Sequence, residues 1–249
     1  MSDLGSGARI WSPGDGVSRA LVVTAHPDDV DFGAAGTVAT LTDAGVEVSY
    51  CIVTNGDAGE ADPAISRQDL PVLRQKEQRD AAAQVGVSDV TFLGHADGHV
   101  KADHSLRRDI SRVIRRVRPQ RVITQSPERV WDRIFASHPD HLAVGEAAVC
   151  AVYPDARSAF IYPELLEQEG LEPHAVPELW LMAGPDPNLF VDTTAAFRRK
   201  VEALRSHRSQ IADPVGIEDR LRSWGGSVAR AAGLPDGSTA EGFRVVVTG

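Results

Sequence analysis

The stretch ALVVTAHPDD, residues 20–29, joins a short apolar run to three side chains that commonly bind metals. The run ALVVT has the length and the β-branched content of a buried strand. In open α/β sheets, ligands bind beyond the carboxyl ends of the strands. His26, Asp28 and Asp29 therefore follow a predicted strand at the place where such a fold carries its functional site.

The same alternation of strand and helix continues through the first two thirds of the chain. Strands are predicted at Ala20–Thr24, Val46–Thr54, Val90–Leu93 and Arg121–Gln125. Helical patterns lie between or after them, at Gly33–Ala44, Leu70–Val85, Ser105–Val117 and Pro139–Val152. This alternation is typical of βαβ units and predicts an α/β fold, a three-layer, Rossmann-like, mostly parallel sheet flanked by helices.

The last third is less regular. Short strands are predicted at Leu179–Met182, Phe190–Val191 and Phe243–Val247, and helices at Thr193–Ile211, with Asp192 as its N-cap, and at Ile217–Ala232. The proline-rich segment Tyr153–Pro177 predicts a surface loop near the mouth of the site. Because no linker divides the chain, we expect one domain over residues 1–249, with a polar, glycine-rich and flexible start over residues 1–16.

The composition excludes several classes of function. A net charge of −9 and a pI near 5.3 argue against binding to nucleic acid or to an anionic membrane. No apolar stretch reaches the length of a membrane span, and the two cysteines form no CxxC pair, so we expect a cytoplasmic protein. The sequence leaves the oligomeric state open, a homo-oligomer included. One basic cluster has helical spacing and predicts the solvated face of a helix: Arg107, Arg108, Arg112, Arg115, Arg116 and Arg118.

A second tetrapeptide with side chains that commonly bind metals, HPDH at residues 138–141, resembles HPDD at residues 26–29. His26, Asp29 and His141 together offer two imidazoles and a carboxylate, a donor set that leaves a coordination position for water. Asp28 is adjacent to Asp29, and neighbouring side chains point apart. Asp28 is therefore predicted to be a general base rather than a further ligand.

The remaining residues of HPDH have predicted roles beside the ion. His138 projects near the metal and is expected to stabilise the oxyanion or to protonate the leaving amine. Asp140 is expected to accept a hydrogen bond from an imidazole and so to favour its charged form, which we assign to His138.

Other interpretations compete with this one. A single His-Pro-Asp turn is more often the N-terminus of a helix than a metal site. The glycine-bearing segment TNGDAGE at residues 54–60 resembles a phosphate-binding loop, but it does not contain the lysine of that motif. Two histidines and a carboxylate also form the triad of non-haem iron oxygenases, and a sugar-binding module without catalysis is a further alternative. Arg74 and Glu77 are spaced as a surface ion pair. Five histidines are expected to be surface or structural groups: His95, His99, His104, His174 and His207.

Taken together, these residues resemble the PIG-L/LmbE-like family of zinc-dependent N-deacetylases, which act on N-acetylglucosamine-type groups. The matching segments cover most of the chain: AHPDD at 25–29, Gly33–Thr37, TNGDAGE at 54–60, Arg74 and Glu77, Leu93-Gly94 with Asp97-Gly98, HPDH at 138–141, His207 with Ser209-Gln210, and Glu241-Gly242-Phe243.

The resemblance implies one Zn²⁺ per chain, or another divalent metal, on the three ligands already named. It implies an N-acetyl amino sugar or glycoconjugate as substrate, with Arg74 and Asp97 holding sugar hydroxyls; an amidase acting on a related glucosaminyl conjugate is the close alternative. Ala136 replaces a tyrosine found in members that act on thiol-linked glucosaminyl inositols. Four residues just upstream are expected to shape a different acceptor pocket: Trp131, Asp132, Arg133 and Phe135.

Overall fold

The computed structural model describes residues 9–59 and 65–249, and within them eight strands form one sheet. The strands are β1 (Arg9–Ile10), β2 (Arg19–Thr24), β3 (Glu47–Thr54), β4 (Asp89–His95), β5 (Arg121–Gln125), β6 (Glu178–Met182), β7 (Leu189–Asp192) and β8 (Ala240–Val247). Their spatial order is β1-β7-β8-β6-β5-β2-β3-β4. Strand β8 runs antiparallel to both of its neighbours, and the other neighbouring pairs are parallel. The predicted mostly parallel sheet is confirmed.

Helices cover both faces of this sheet. They are α1 (Asp29–Gly33), α2 (Ala35–Asp43), α3 (Leu70–Gln84), α4 (His104–Val117), α5 (Pro139–Cys150), α6 (Pro163–Glu167), α7 (Phe197–Arg205) and α8 (Ile217–Ala231), with a 3₁₀ segment at Trp131–Ser137. Among the described residues, no helix has both the length and the apolar content needed to cross a membrane.

Strand β2 shows why its sequence is an uninterrupted apolar run. Ala20 and Val22 pack into the core on one face of the sheet, and Leu21 and Val23 into the core on the other. A strand buried on both faces needs apolar side chains at every position rather than at alternate ones. The run at residues 20–24 thus identifies a central strand.

The topology opens a crevice at the carboxyl end of β2. The chain passes from β2 to β3 and β4 on one side, and places β5 and β6 on the other. The connection after β2 therefore runs to one side of the sheet, and the connection after β5 runs to the other. This divergence creates a binding crevice in open α/β sheets. His26 follows β2, and the segment after β5 leads to His138.

The predicted helix at Gly33–Ala44 corresponds to α2, which begins two residues later and is preceded by a separate short helix, α1. Helix α1 ends at Gly33, Ala34 adopts a φ of −144°, and α2 begins at Ala35. The buried carboxylate of Glu241 causes a new start here, because it accepts hydrogen bonds from the backbone N–H groups of Gly36 and Thr37. A partner 205 residues away in sequence cannot be read from local periodicity.

The predicted helix at Thr193–Ile211 is shorter in the structure. Asp192 ends β7, and its side chain accepts from the backbone N–H of Thr194 at 2.9 Å. That contact makes a turn rather than an N-cap, so the helix begins only at Phe197.

Two predicted surface regions are partly interior. Arg115, assigned to the solvated face of α4, is buried. It donates to carbonyl groups of the segment that follows α5, those of Asp155, Ala156, Ser158 and Ile161. The predicted loop Tyr153–Pro177 contains α6, and Leu165 and Val176 are buried. Of the start expected to be flexible, residues 9–10 form edge strand β1, while residues 1–8 lie outside the described part.

Candidate active site

The three predicted metal ligands converge in the crevice beyond β2. Asp29, the first residue of α1, places its Oδ2 3.2 Å from Nδ1 of His26 and its Oδ1 3.0 Å from Nε2 of His141. The backbone N–H of His26 donates to the same Asp29 Oδ2 at 2.7 Å. One carboxylate thus joins residues separated by more than a hundred positions in the sequence.

The electrostatics of this cluster favour a positive charge. Burial lowers the pKa of His26, but the Asp29 and Asp97 carboxylates outweigh it and raise the pKa to about 11. In Asp29, burial is likewise outweighed, by His141 and His26, and its pKa lies well below the ordinary value. A pocket that stabilises a cation so strongly suits a divalent metal as well as a proton.

The outer nitrogen of His26 faces two further carboxylates. Its Nε2 lies 3.1 Å from Oδ1 of Asp97 and 3.3 Å from Oδ2 of Asp140. Asp140 is buried and also accepts from the backbone N–H groups of Gly98 and Val100. Metal-bound histidines typically donate their other N–H to such a carboxylate, which fixes the tautomer and the ring orientation.

The donor set fits a metal such as zinc. In the described part of the chain, His26, His138 and His141 form one group with ligand atoms within 4.8 Å of one another, and His26, Asp97 and Asp140 form a second. Asp97 and Asp140 lie at Nε2 of His26, whereas Asp29 lies at its Nδ1. Because Asp29 joins His26 Nδ1 to His141, the histidine side offers two or three imidazoles and a carboxylate, which is a donor set for zinc.

Asp28 lies beside the predicted ion but turns to a different partner from Asp29. Its backbone has a φ of +93°, and its Oδ2 lies 3.1 Å from Nη2 of Arg74. Burial and the negative charge of Asp29 raise its pKa to about 6, against the opposing effect of Arg74. Asp28 is thus a carboxylate at neutral pH whose basicity is well above that of an ordinary aspartate.

The surroundings of His138 differ from the prediction. It is the N-cap of α5, and its Nδ1 accepts from the backbone N–H of Asp140 at 3.2 Å. Burial and the neighbouring His26 and His141 lower its pKa, although Asp140 and Asp29 act in the other direction. The Asp140 side chain therefore pairs with His26 rather than with His138, and the lowered pKa of His138 acts against the expected imidazolium.

Arg74 and Glu77 do not form the surface ion pair that their spacing suggested. Arg74 is 3% exposed and donates to the carbonyl groups of Pro27 and Gly56 as well as to Asp28. Glu77 is buried and accepts from the backbone and hydroxyl of Ser209. The sugar contacts predicted for Arg74 and Asp97 stay predictions; in the structure both side chains contact protein groups of the site.

The glycines after β3 allow Arg74 to reach the site. A Cβ atom on Gly56, whose φ is +68°, or on Gly59 would collide with the Arg74 guanidinium. These glycines therefore serve close packing, as expected for a loop that passes the pocket. Glu60, the last residue of TNGDAGE, lies outside the described residues.

The segment before His138 exposes large apolar side chains. Trp131 is 78% exposed and Phe135 is 69% exposed, both in the 3₁₀ segment that leads into α5. The backbone N–H of Val130 donates to the Ser137 hydroxyl and ties the two ends of the segment together. An exposed apolar surface thus adjoins the histidine cluster.

Sequence reasoning missed a buried polar group behind Asp28. It consists of Gln78, Asp31 and His207, all 0% exposed. His207 was expected to be a surface or structural histidine and lies in the interior. The available signal was position: Gln78 is one helical turn beyond Arg74, and Asp31 follows Asp29 by two residues.

Comparisons with known proteins agree with this geometry. The model of the PIG-L family, described as GlcNAc-PI de-N-acetylase, matches residues 21–152. The diacetylchitobiose deacetylase of Thermococcus kodakarensis is 31% identical, over 83% of this chain and 75% of the relative. A probable N-acetyl-alpha-D-glucosaminyl L-malate deacetylase 2 of Bacillus cereus is 32% identical, over 77% of this chain and 83% of the relative.

A solved structure gives the same result for the fold. The N,N'-diacetylchitobiose deacetylase from Pyrococcus horikoshii superposes with a TM-score of 0.85 at 29% identity, covering 95% of this chain and 86% of that one. The chain therefore belongs to the PIG-L family and is an N-deacetylase.

Proposed function

We propose that this chain is a zinc-dependent hydrolase that removes the acetyl group from an N-acetylglucosamine-type unit within a conjugate. The observation that carries the proposal is Asp29 between His26 and His141, with the basic carboxylate of Asp28 beside it. The relatives named above act on an N-acetylglucosamine unit in a disaccharide or in a malate conjugate.

The metal would be held by His26, Asp29 and His141. A zinc ion there would act as a Lewis acid toward water and the amide carbonyl. Asp97 and Asp140 contact the outer nitrogen of His26, so both would support this ligand.

Asp28 performs the proton transfers in this proposal. As a carboxylate it takes a proton from the attacking water while the water oxygen bonds to the acetyl carbon. It then delivers that proton to the amine nitrogen as the C–N bond breaks, which yields acetate and the free amino sugar. The lowered pKa of His138 disfavours its protonated form, so we assign the protonation of the amine to Asp28.

His138 stabilises charge on the oxygen of the former carbonyl. Its Nδ1 is engaged with the Asp140 backbone, so its Nε2–H is left to donate a hydrogen bond to the developing oxyanion. A neutral donor suffices for this task, since the interaction strengthens as negative charge forms on the oxygen.

The test is a panel of N-acetylated sugars with zinc-loaded protein, assayed for acetate and for free amine: N-acetylglucosamine, diacetylchitobiose and N-acetylglucosaminyl malate. We expect the conjugates to be hydrolysed and Asp28→Asn to lose about 10²–10⁴-fold in kcat with its zinc intact. The exposed Asp236→Asn serves as the matched control. Full turnover by Asp28→Asn contradicts the mechanism, and no acetate from any sugar contradicts the substrate class.

Metal analysis separates the alternatives that the residues alone left open. Zinc at one ion per chain supports the zinc-dependent hydrolase, whereas another divalent metal in the active protein would assign the same ligands to that metal. We further propose that the enzyme works in the cytoplasm, because Cys51 and Cys150 are both free thiols.

A further inference from the structure

The backbone of Asp28 is held in a strained conformation. Its φ of +93° lies in the left-handed region, where residues other than glycine are disfavoured. Such a conformation persists only where the surroundings fix it, and it is often found at functional sites. The contact that fixes the Asp28 amide is a 2.7 Å hydrogen bond from its N–H to Oε1 of Gln78.

The orientation of the Gln78 amide is determined by Asp31. Nε2 of Gln78 donates to Oδ2 of Asp31 at 2.9 Å. An ionised carboxylate only accepts hydrogen bonds, so the NH₂ end of the amide must face Asp31. The carbonyl oxygen is then directed at the Asp28 N–H. Rotating the amide by half a turn would disrupt both contacts.

Asp31 is held in turn by His207. Nε2 of His207 lies 2.8 Å from the same Oδ2 of Asp31. The three side chains come from different parts of the fold, α1, α3 and the turn after α7, and all are fully buried. A buried polar network of this kind is rigid when its members are paired, and costly when one partner is removed.

We propose that Gln78, Asp31 and His207 form a positioning relay that holds the backbone of Asp28, and that turnover depends on this relay. The inference rests on the proposed role of Asp28 as the base. Arg74 fixes the carboxylate of Asp28, whereas the relay fixes its amide. Without the relay the backbone is free to relax toward negative φ, which would swing the carboxylate away from the attacking water.

The expected effect is on turnover rather than on binding. A displacement of about 1 Å in a catalytic group lowers the rate by about 10²-fold. Among the described residues, no hydrogen bond or ion pair joins Gln78, Asp31 or His207 to the proposed metal ligands, so metal content and KM should change little.

The experiment compares Gln78→Met, which keeps the side-chain length and removes the acceptor, with His207→Leu and His207→Gln. Ser111→Ala is the matched control, because it removes a fully buried hydroxyl that has no hydrogen-bond partner in the described part of the chain. The readouts are hydrogen exchange at the Asp28 amide, zinc content, thermal unfolding, and kcat and KM for diacetylchitobiose.

We expect faster exchange of the Asp28 amide and about a 10²-fold loss of kcat in Gln78→Met and His207→Leu. His207→Gln, whose amide nitrogen can replace Nε2, should restore most of both. If Gln78→Met does not fold, Gln78→Asn, which is too short to span both partners, takes its place.

An Asp28 amide that stays protected in the folded Gln78 variant overturns the relay. Faster exchange with unchanged kcat overturns its importance for turnover. A loss of kcat that follows loss of zinc would instead assign the relay a general structural role. Failure of the proposed function is separate, since it would show as full turnover by Asp28→Asn whatever the exchange rates.

Discussion

Replacing Arg74 by glutamine tests the electrostatic part of the mechanism. The guanidinium lies 3.1 Å from the Asp28 carboxylate, and both groups are largely buried. Asp28 must be ionised to act as a base, so kcat/KM should fall as the pH drops below its pKa. Arg74 lowers that pKa against burial and the charge of Asp29. Removing the positive charge should therefore raise the pKa, and activity should begin to fall at a higher pH.

The size of the shift follows from the distance. A cation within about 4–6 Å typically lowers a carboxyl pKa by about 1–3 units. Because the pair is largely buried, solvent screens it little, and we expect the acid limb of kcat/KM to move up by about 1–3 units in Arg74→Gln. The charge of a bound zinc ion lowers the pKa in both enzymes, so the difference between the profiles is the quantity to compare.

The assay is a pH profile of kcat/KM, with zinc content measured at each pH. Arg74→Lys is the control, because it keeps the charge while losing the fixed geometry of the guanidinium. Its limb should lie close to that of the wild type even if its rate is lower. An unchanged limb in zinc-replete Arg74→Gln would refute the reasoning and assign the acid limb to a group other than Asp28.

Three further predictions concern the metal, the oxyanion and the acceptor. Asp29→Ala should lose zinc and activity together, because the carboxylate between the two histidines is gone; full zinc occupancy, measured by atomic absorption, would remove Asp29 from the ligand set. His138→Ala should keep zinc and KM while kcat falls by about 10²–10³-fold, and zinc loss in this variant would make His138 a ligand. Trp131→Ala should raise KM for diacetylchitobiose by about 2–10-fold with kcat unchanged, if its exposed ring packs on the second sugar; equal KM values would place the second sugar elsewhere.

The sequence predicts the central parallel strands well because their burial on both faces leaves a local mark. The run at residues 20–24 and the exact bounds of Arg121–Gln125 show this. The convergence of His26, Asp29 and His141 is also readable, since each tetrapeptide carries its donors at close spacing. A feature set by a distant partner is not readable, and the break before α2 depends on Glu241 in this way. The turn at Asp192 is local, but an aspartate at that place is equally compatible with a helix N-cap.

The same limit explains the errors within the site. Adjacency in HPDH suggested that Asp140 supports His138, but helix α5 directs the Asp140 carboxylate to His26. The relay behind Asp28 links residues 31, 78 and 207, none of which is near another in the sequence. Local spacing predicts the candidate metal ligands, whereas the groups that hold the site in place depend on packing between helices and strands.

The glycines at positions 56 and 59 link the loop after β3 to the proposed base, Asp28. Any side chain at either position must displace the Arg74 guanidinium, and Arg74 is the cation that pairs with Asp28. An alanine at either position would therefore alter proton transfer by displacing Arg74, with no direct contact to water, metal or sugar. Redesign of this loop for a new substrate would therefore have to keep both glycines.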